Sequence, residues 1–176
     1  MLRKFGIIAV LSLLVTALAA VPALAVTNFD NAPQGAHYRQ GFAEPVCTFG
    51  ADGLTVTCTG TQIAGVGNTN ATQTLAVTST FTGTCSNPAG ANNPNNPIEP
   101  FTEAETTTTS NQLLPNRNGT LVVPAISATA TSSEEFLATF ECPNPQWEAT
   151  VASTDVSFLY TLTFAGETAP AISITG

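Results

Sequence analysis

From Cys47 onward the residues alternate with a period of two, apolar positions against Thr, Ser and other polar ones. Over residues 74–85 one face carries Leu75, Val77, Ser79, Phe81, Gly83 and Cys85; over 156–164 one face carries Phe158, Tyr160, Leu162 and Phe164. Residues 136–142 and 147–151 continue the pattern. Successive side chains of a strand point to opposite faces, so this period specifies strands with one buried face. The 28 Thr after residue 25 fit the solvent side of such strands, where β-branched residues pack well. Clusters of Gly, Asn and Pro punctuate the runs at short intervals. No window of helical spacing with proper caps competes. The expected fold is all-β: an antiparallel β-sandwich, immunoglobulin-like or similar, of about seven to nine strands. Phe49, Leu54, Val56, Leu75, Val77, Phe81, Phe136, Phe140, Trp147, Val151, Phe158, Tyr160, Leu162 and Phe164 are its expected core.

The N-terminal residues carry an expectation about compartment. Arg3 and Lys4 precede an apolar stretch over residues 7–15, and Pro22 precedes Ala23-Leu24-Ala25. That is the charged, apolar, small-x-small order of a secretory signal, expected over residues 1–25. The rival reading is an uncleaved anchor, because apolar residues run on to Val26; Pro22 and the Ala-rich end favour cleavage. No Cys sits at the cleavage site for lipid attachment. The expected product is secreted and extracellular, released or associated with the cell envelope. Residues 26–45 read as a polar arm, and residues 46–176 as one sandwich domain.

Export favours disulfides for the four cysteines. Three pairings are open; the strand pattern favours Cys47–Cys58 and Cys85–Cys142. The first carries a condition: a simple four-residue loop at Gly50–Gly53 would set Cys47 opposite Val56. A bulge or longer loop is therefore required.

Charge excludes whole classes of partner. Beyond residue 25 the only strong cations are Arg39 and Arg117, against 12 carboxylates. Nucleic acid and anionic membrane surfaces both demand fields of Lys and Arg. Neither is expected as a partner; an extracellular protein or a glycan is.

Residues 86–112 stand apart. Pro88, Pro94 and Pro97 cannot donate ladder hydrogen bonds, so the segment reads as a long surface loop. Its Asn92, Asn93, Asn95 and Asn96 form the candidate binding loop; the plainer reading is a connection between sheets.

Catalytic material is scarce. The sole His, His37, lies in the polar arm beside Tyr38 and Arg39, where an exposed loop role is the simpler reading. One His and four oxidised Cys cannot make a zinc site. Calcium could draw on Asp52 and the loop Asn residues, but no EF-hand spacing is present. No metal or cofactor is expected. Carboxylate pairs are Glu103/Glu105, Glu134/Glu135 and Glu141/Glu148; each reads more simply as a solubilising charge at an edge or turn. Gly65-Val66-Gly67-Asn68 lacks the third Gly and following helix of a phosphate loop. Asn70-Ala-Thr72 and Asn118-Gly-Thr120 are glycosylation sequons, meaningful only in a eukaryotic secretory path.

Four stretches taken in order carry a resemblance: Ile63-Ala-Gly-Val-Gly-Asn68, Cys85-Ser-Asn-Pro-Ala-Gly90, Asn118-Gly119 opening a strand, and Cys142-Pro-Asn-Pro-Gln-Trp147 before the last strands. Over residues 46–165 the chain resembles a group of small secreted bacterial proteins of unassigned function, with the Thr-rich composition of actinobacterial exports. The resemblance implies a secreted β-rich domain and supplies no catalytic residue. The leading expectation is a non-catalytic extracellular protein, structural or binding, acting through its surface. The alternatives are a secreted hydrolase using Glu141 and Glu148, and a carrier for a small apolar ligand held between the sheets.

Overall fold

The computed structural model describes residues 25–90 and 96–176. Residues 1–24 of the expected signal segment, and Asn92, Asn93 and Asn95, lie outside the described residues. The described elements are β1 (Ala25–Thr27), β2 (His37–Tyr38), β3 (Cys47–Phe49), β4 (Thr55–Cys58), β5 (Thr61–Ala64), β6 (Ala71–Ser86), β7 (Ile98–Leu113), β8 (Leu121–Val123), β9 (Ile126–Thr129), α1 (Ser133–Thr139), β10 (Glu148–Phe164) and β11 (Ile172–Thr175). Among the described residues the fold is all-β with antiparallel pairing and one short α-helix.

One layer is a five-stranded sheet in the order β1-β11-β10-β6-β7. The other is built from β2-β5-β8 and β3-β4-β9. These two three-stranded pieces are one interrupted sheet. Cys58 pairs with Ile126 and Thr61 with Val123, so the register of β4 with β9 runs on unchanged into that of β5 with β8. The ladder breaks where Pro124 supplies no N–H. Opposite it lies Gly60, where a Cβ would come within 2.7 Å of the Val123 carbonyl oxygen and 3.2 Å of the Pro124 carbonyl carbon. Gly is required there by close backbone approach.

Between the layers Val56, Ile63, Leu75, Leu121, Tyr160, Leu162, Ile172 and Ile174 are fully buried. A single buried amide ties the layers together. Gln73 Nε2 donates to the Pro124 carbonyl at 2.9 Å, and Asn111 Nδ2 donates to Gln73 Oε1 at 3.2 Å. The carbonyl released by the Pro124 break thereby gains a partner inside the core, where an unpaired one would be costly.

Both disulfides, Cys47–Cys58 and Cys85–Cys142, are formed. Cys47 and Cys58 are direct cross-strand partners, and Phe49 pairs with Val56. The connection spans Gly50 to Thr55, whose backbone N and O meet at 2.6 Å, with a tighter turn from Gly50 to Gly53 inside it. Asp52 braces this loop by accepting from the Leu54 and Thr55 amides and the Thr55 hydroxyl. The longer loop restores the register that a four-residue turn would break.

Four expectations are corrected. Residues 133–139 are a helix, not a strand, because Ser132 and Glu135 form a reciprocal capping box. Phe136 and Phe140, read as alternate strand positions, are four apart on or just beyond one helical face. The supposed loop over 86–112 closes by residue 98; from Ile98 the chain pairs with β6 without a break, Ile98 with Ser86 through Leu113 with Ala71. Pro100 is tolerated because β7 is an edge strand. The polar arm is woven into the fold: β1 pairs with β11, β2 pairs with β5, and Phe29, Ala32 and Tyr38 pack on the core. Finally, Leu54, Phe140, Trp147 and Val151 are only half-buried and Phe49 is exposed at 36%, though its ring packs edge-on against Phe158 at 5.5 Å.

Beyond the reach of the second layer, the far end of the long strands has its own small core. The Phe136 ring stacks on Phe81 at 4.2 Å and on Phe140 at 4.8 Å, and Phe101 lies 4.5 Å from Phe140. The Cys85–Cys142 bond fastens the segment that carries this cover.

Candidate functional site

The candidate residues fall into separate local turns. His37 is exposed, and its Nδ1–H donates to the Gly35 carbonyl at 2.8 Å. Asn96, the described member of the binding-loop candidates, donates from Nδ2 to the Asn87 carbonyl at 2.9 Å. Its side chain closes the loop on itself. Asn87 and Asn144, each before a Pro, accept from the amides of Ala89 and Gln146 in the same local turn. The Gly65–Gly67 segment packs against the Asn118-Gly119 turn, with the Val66 amide donating to the Gly119 carbonyl at 3.1 Å. These motifs are turn chemistry.

The carboxylates regroup. Glu141 and Glu148 are exposed, and neither lines the groove beside α1 or the groove at the end of the five-stranded sheet. Instead Glu105 of β7 and Glu135 of α1 line one groove of about 400 Å³, with Thr107, Thr129, Ala130, Thr131 and Thr139. The sequence pairs Glu105 with Glu103 and Glu135 with Glu134; the fold brings Glu105 and Glu135 to one groove instead. A glycosidase pair needs one carboxyl held protonated by a raised pKa. Glu135 is shifted the other way: the Ser132 amide and hydroxyl donate to its carboxylate and lower its pKa. A second groove of about 260 Å³, at the end of the five-stranded sheet, is lined by residues including Thr72, Gln112, Thr163 and Glu167. Among the described residues no group of three or more His, Cys, Asp or Glu could hold a metal ion. No helix among them is long and apolar enough to cross a membrane.

A broad surface is formed by the outer face of the five-stranded sheet. Register places Thr72, Thr74, Thr78, Thr80, Thr82 and Thr84 of β6 on it, because Gln73, Leu75, Val77, Ser79 and Phe81 are buried beneath. Their partners continue the surface in both directions. Thr163, Thr161, Ser157, Ser153 and Thr150 lie on β10, and Gln112, Ser110, Thr106 and Thr102 on β7. A bulge between Val151 and Ser153 resets the alternation without ending it. Along these three strands, from residue 72 to 84 of β6 and its partners, Asp155 is the only ionisable residue on the face. Leu159, 43% exposed, is its one large apolar side chain over that span.

Part of this hydroxyl array is self-satisfied. Thr74 and Ser110 hydroxyls meet at 3.2 Å, Thr78 and Thr106 at 2.8 Å, and Gln112 Nε2 donates to Thr72 Oγ1 at 3.0 Å. Each such pair contributes a few tenths of a kcal/mol, roughly, to sheet stability. A hydroxyl can donate and accept at once, so paired ones keep capacity for a further partner. The alternation with Thr is legible in the sequence, but the partner strand β7 is not, because its Thr-rich run carries no apolar rhythm.

Comparison with protein-family models, with curated proteins and with solved structures found no match.

Proposed function

We propose that the protein is a secreted, non-catalytic binding or structural protein whose working surface is the outer face of the five-stranded sheet. The observation that carries this reading is the broad, nearly uncharged array of Thr and Ser hydroxyls spanning β10, β6 and β7. Such a surface offers hydrogen bonds in both directions and little Coulombic attraction. It suits a neutral, hydroxyl-rich partner such as a polysaccharide of the cell envelope or medium. The acidic chain disfavours polyanions for the same reason that it disfavours nucleic acid. The disulfides are consistent with the oxidising compartment that the N-terminal signal pattern implies.

The test is retention of the protein, recovered from culture medium, on insoluble neutral polysaccharides and on peptidoglycan, with released sugars followed in parallel. Saturable retention without products is expected. Replacing Thr80, Thr82 and Ser153 together by Val should weaken it about tenfold, or 1.4 kcal/mol. Retention indifferent to those changes would reject the face. Sugar release abolished by Glu141→Gln or Glu148→Gln would replace the reading with the hydrolase.

A further inference from the structure

The edge of the sheet carries a separate message. β7 is 16 residues long and terminal in the sheet order, pairing with β6 on one side. At the opposite edge β1 has only 3 residues. β8 and β9, also edge strands, have 3 and 4 residues and are interrupted by Pro124. Proteins blunt exposed edges with short strands, charges, Pro or bulges. On β7 those devices are all confined to one half: Glu99, Pro100, Glu103 and Glu105. The second half, from Thr106 to Leu113, holds no charge, no Pro and no Gly. The sheet's bulge lies on β10.

We propose that residues 106–112 of β7 pair antiparallel with the same segment of a second copy of this chain, Thr109 facing Thr109 across the two-fold axis. The charge distribution selects that occupant and that direction. In antiparallel pairing about a two-fold axis, the acidic half of each β7 runs out past the end of its partner. In parallel, in-register pairing Glu103 and Glu105 would face their own copies, which is destabilising. The pairing is isologous and closes at two copies. It joins two five-stranded sheets into one of ten strands. A two-fold axis normal to the sheet leaves both hydroxyl faces on the same side, so an extended partner would meet two of them at once.

The measurement is sedimentation equilibrium of the protein from culture medium, with Thr108→Lys and Thr102→Lys as matched variants. Both substitutions fall on the outer face, one in the bare half of β7 and one in the acidic half. A dimer is expected, weakened at least about tenfold by Thr108→Lys. Thr102→Lys should leave it unchanged, and circular dichroism should show both variants folded. Spin labels at Thr108 should then lie roughly 7 Å apart along the strands and labels at Glu99 roughly 66 Å apart, at about 3.3 Å per residue. A monomer at all concentrations, a dimer indifferent to Thr108→Lys, or equal label separations would overturn the proposal.

Discussion

Gly83 of β6 is the direct cross-strand partner of Phe101 of β7, and the Phe101 ring occupies the space that a side chain at Gly83 would need. On the other side the Thr150 carbonyl oxygen closes the same space. The ring covers the bare backbone of the glycine and continues into the Phe136 and Phe140 contacts. Gly83→Ala is expected to cost about 1–3 kcal/mol through overpacking. Phe101→Ala should cost about 2 kcal/mol, below the range for a fully buried Phe because the ring is half-buried. The double variant should recover only part of the glycine penalty, since the Thr150 carbonyl stays in place. Urea denaturation of the four proteins checks this, and strict additivity would contradict it.

At the start of α1 the capping box predicts a local loss. Ser132→Ala should destabilise the protein by about 1 kcal/mol. Far-UV circular dichroism should barely change, because α1 has only seven residues.

Asp52 and Glu135 both have pKa values lowered by hydrogen bonds donated to their carboxylates, Asp52 chiefly from Thr55 and Glu135 from Ser132. The sign follows from linkage: a depressed folded-state pKa stabilises the protein above the unfolded value and is lost as pH falls through the folded one. Stability should therefore decline as pH drops below 3.8 to 4.5, the ordinary values of the two groups. Asp52→Asn with Glu135→Gln should flatten that acid limb, as read from thermal midpoints against pH. An unchanged slope would show that other carboxylates dominate.

At high pH the tyrosines act in the opposite direction. Burial pushes Tyr160 up to about 12 and also raises Tyr38, whose hydroxyl pairs with that of Thr27 at 2.7 Å. A raised acid pKa means that the unfolded state ionises first. The stabilisation is whole below pH 10.0 and is lost as pH rises towards the folded values. Phenolate absorbance should show no titration at the ordinary value in the folded protein. Tyr160→Phe should soften the alkaline loss of stability.

The disulfides should contribute unequally. By the chain-entropy account, the bond closing the longer loop, Cys85–Cys142, is worth about 4 kcal/mol and Cys47–Cys58 about 3 kcal/mol. Replacing each pair by Ala and measuring urea midpoints should give that order. Removing Cys85–Cys142 should also expose the Phe136 and Phe140 cover to limited proteolysis first.

Alternation at residues 74–85 and 156–164 by itself determined that β6 and β10 are strands and which of their faces is buried, because a period of two admits one assignment of sides. The strand pattern favoured Cys47–Cys58 and Cys85–Cys142 among three open pairings, and the tertiary structure selects both. Three things were decided only by the tertiary structure. A Thr-rich run such as 106–109 has no apolar rhythm, and it became a strand because β6 offered it a complete ladder of partners at an edge that tolerates Pro100. Residues 133–139 satisfy both a strand rhythm and an i, i+4 rhythm; the Ser132–Glu135 box and the surface of Phe81 and Phe101 chose the helix. The outer hydroxyl face exists only when β10, β6 and β7 lie side by side. Each strand's local pattern states which side is wet, but the extent of a surface is set by which strands are neighbours, and that is a long-range choice.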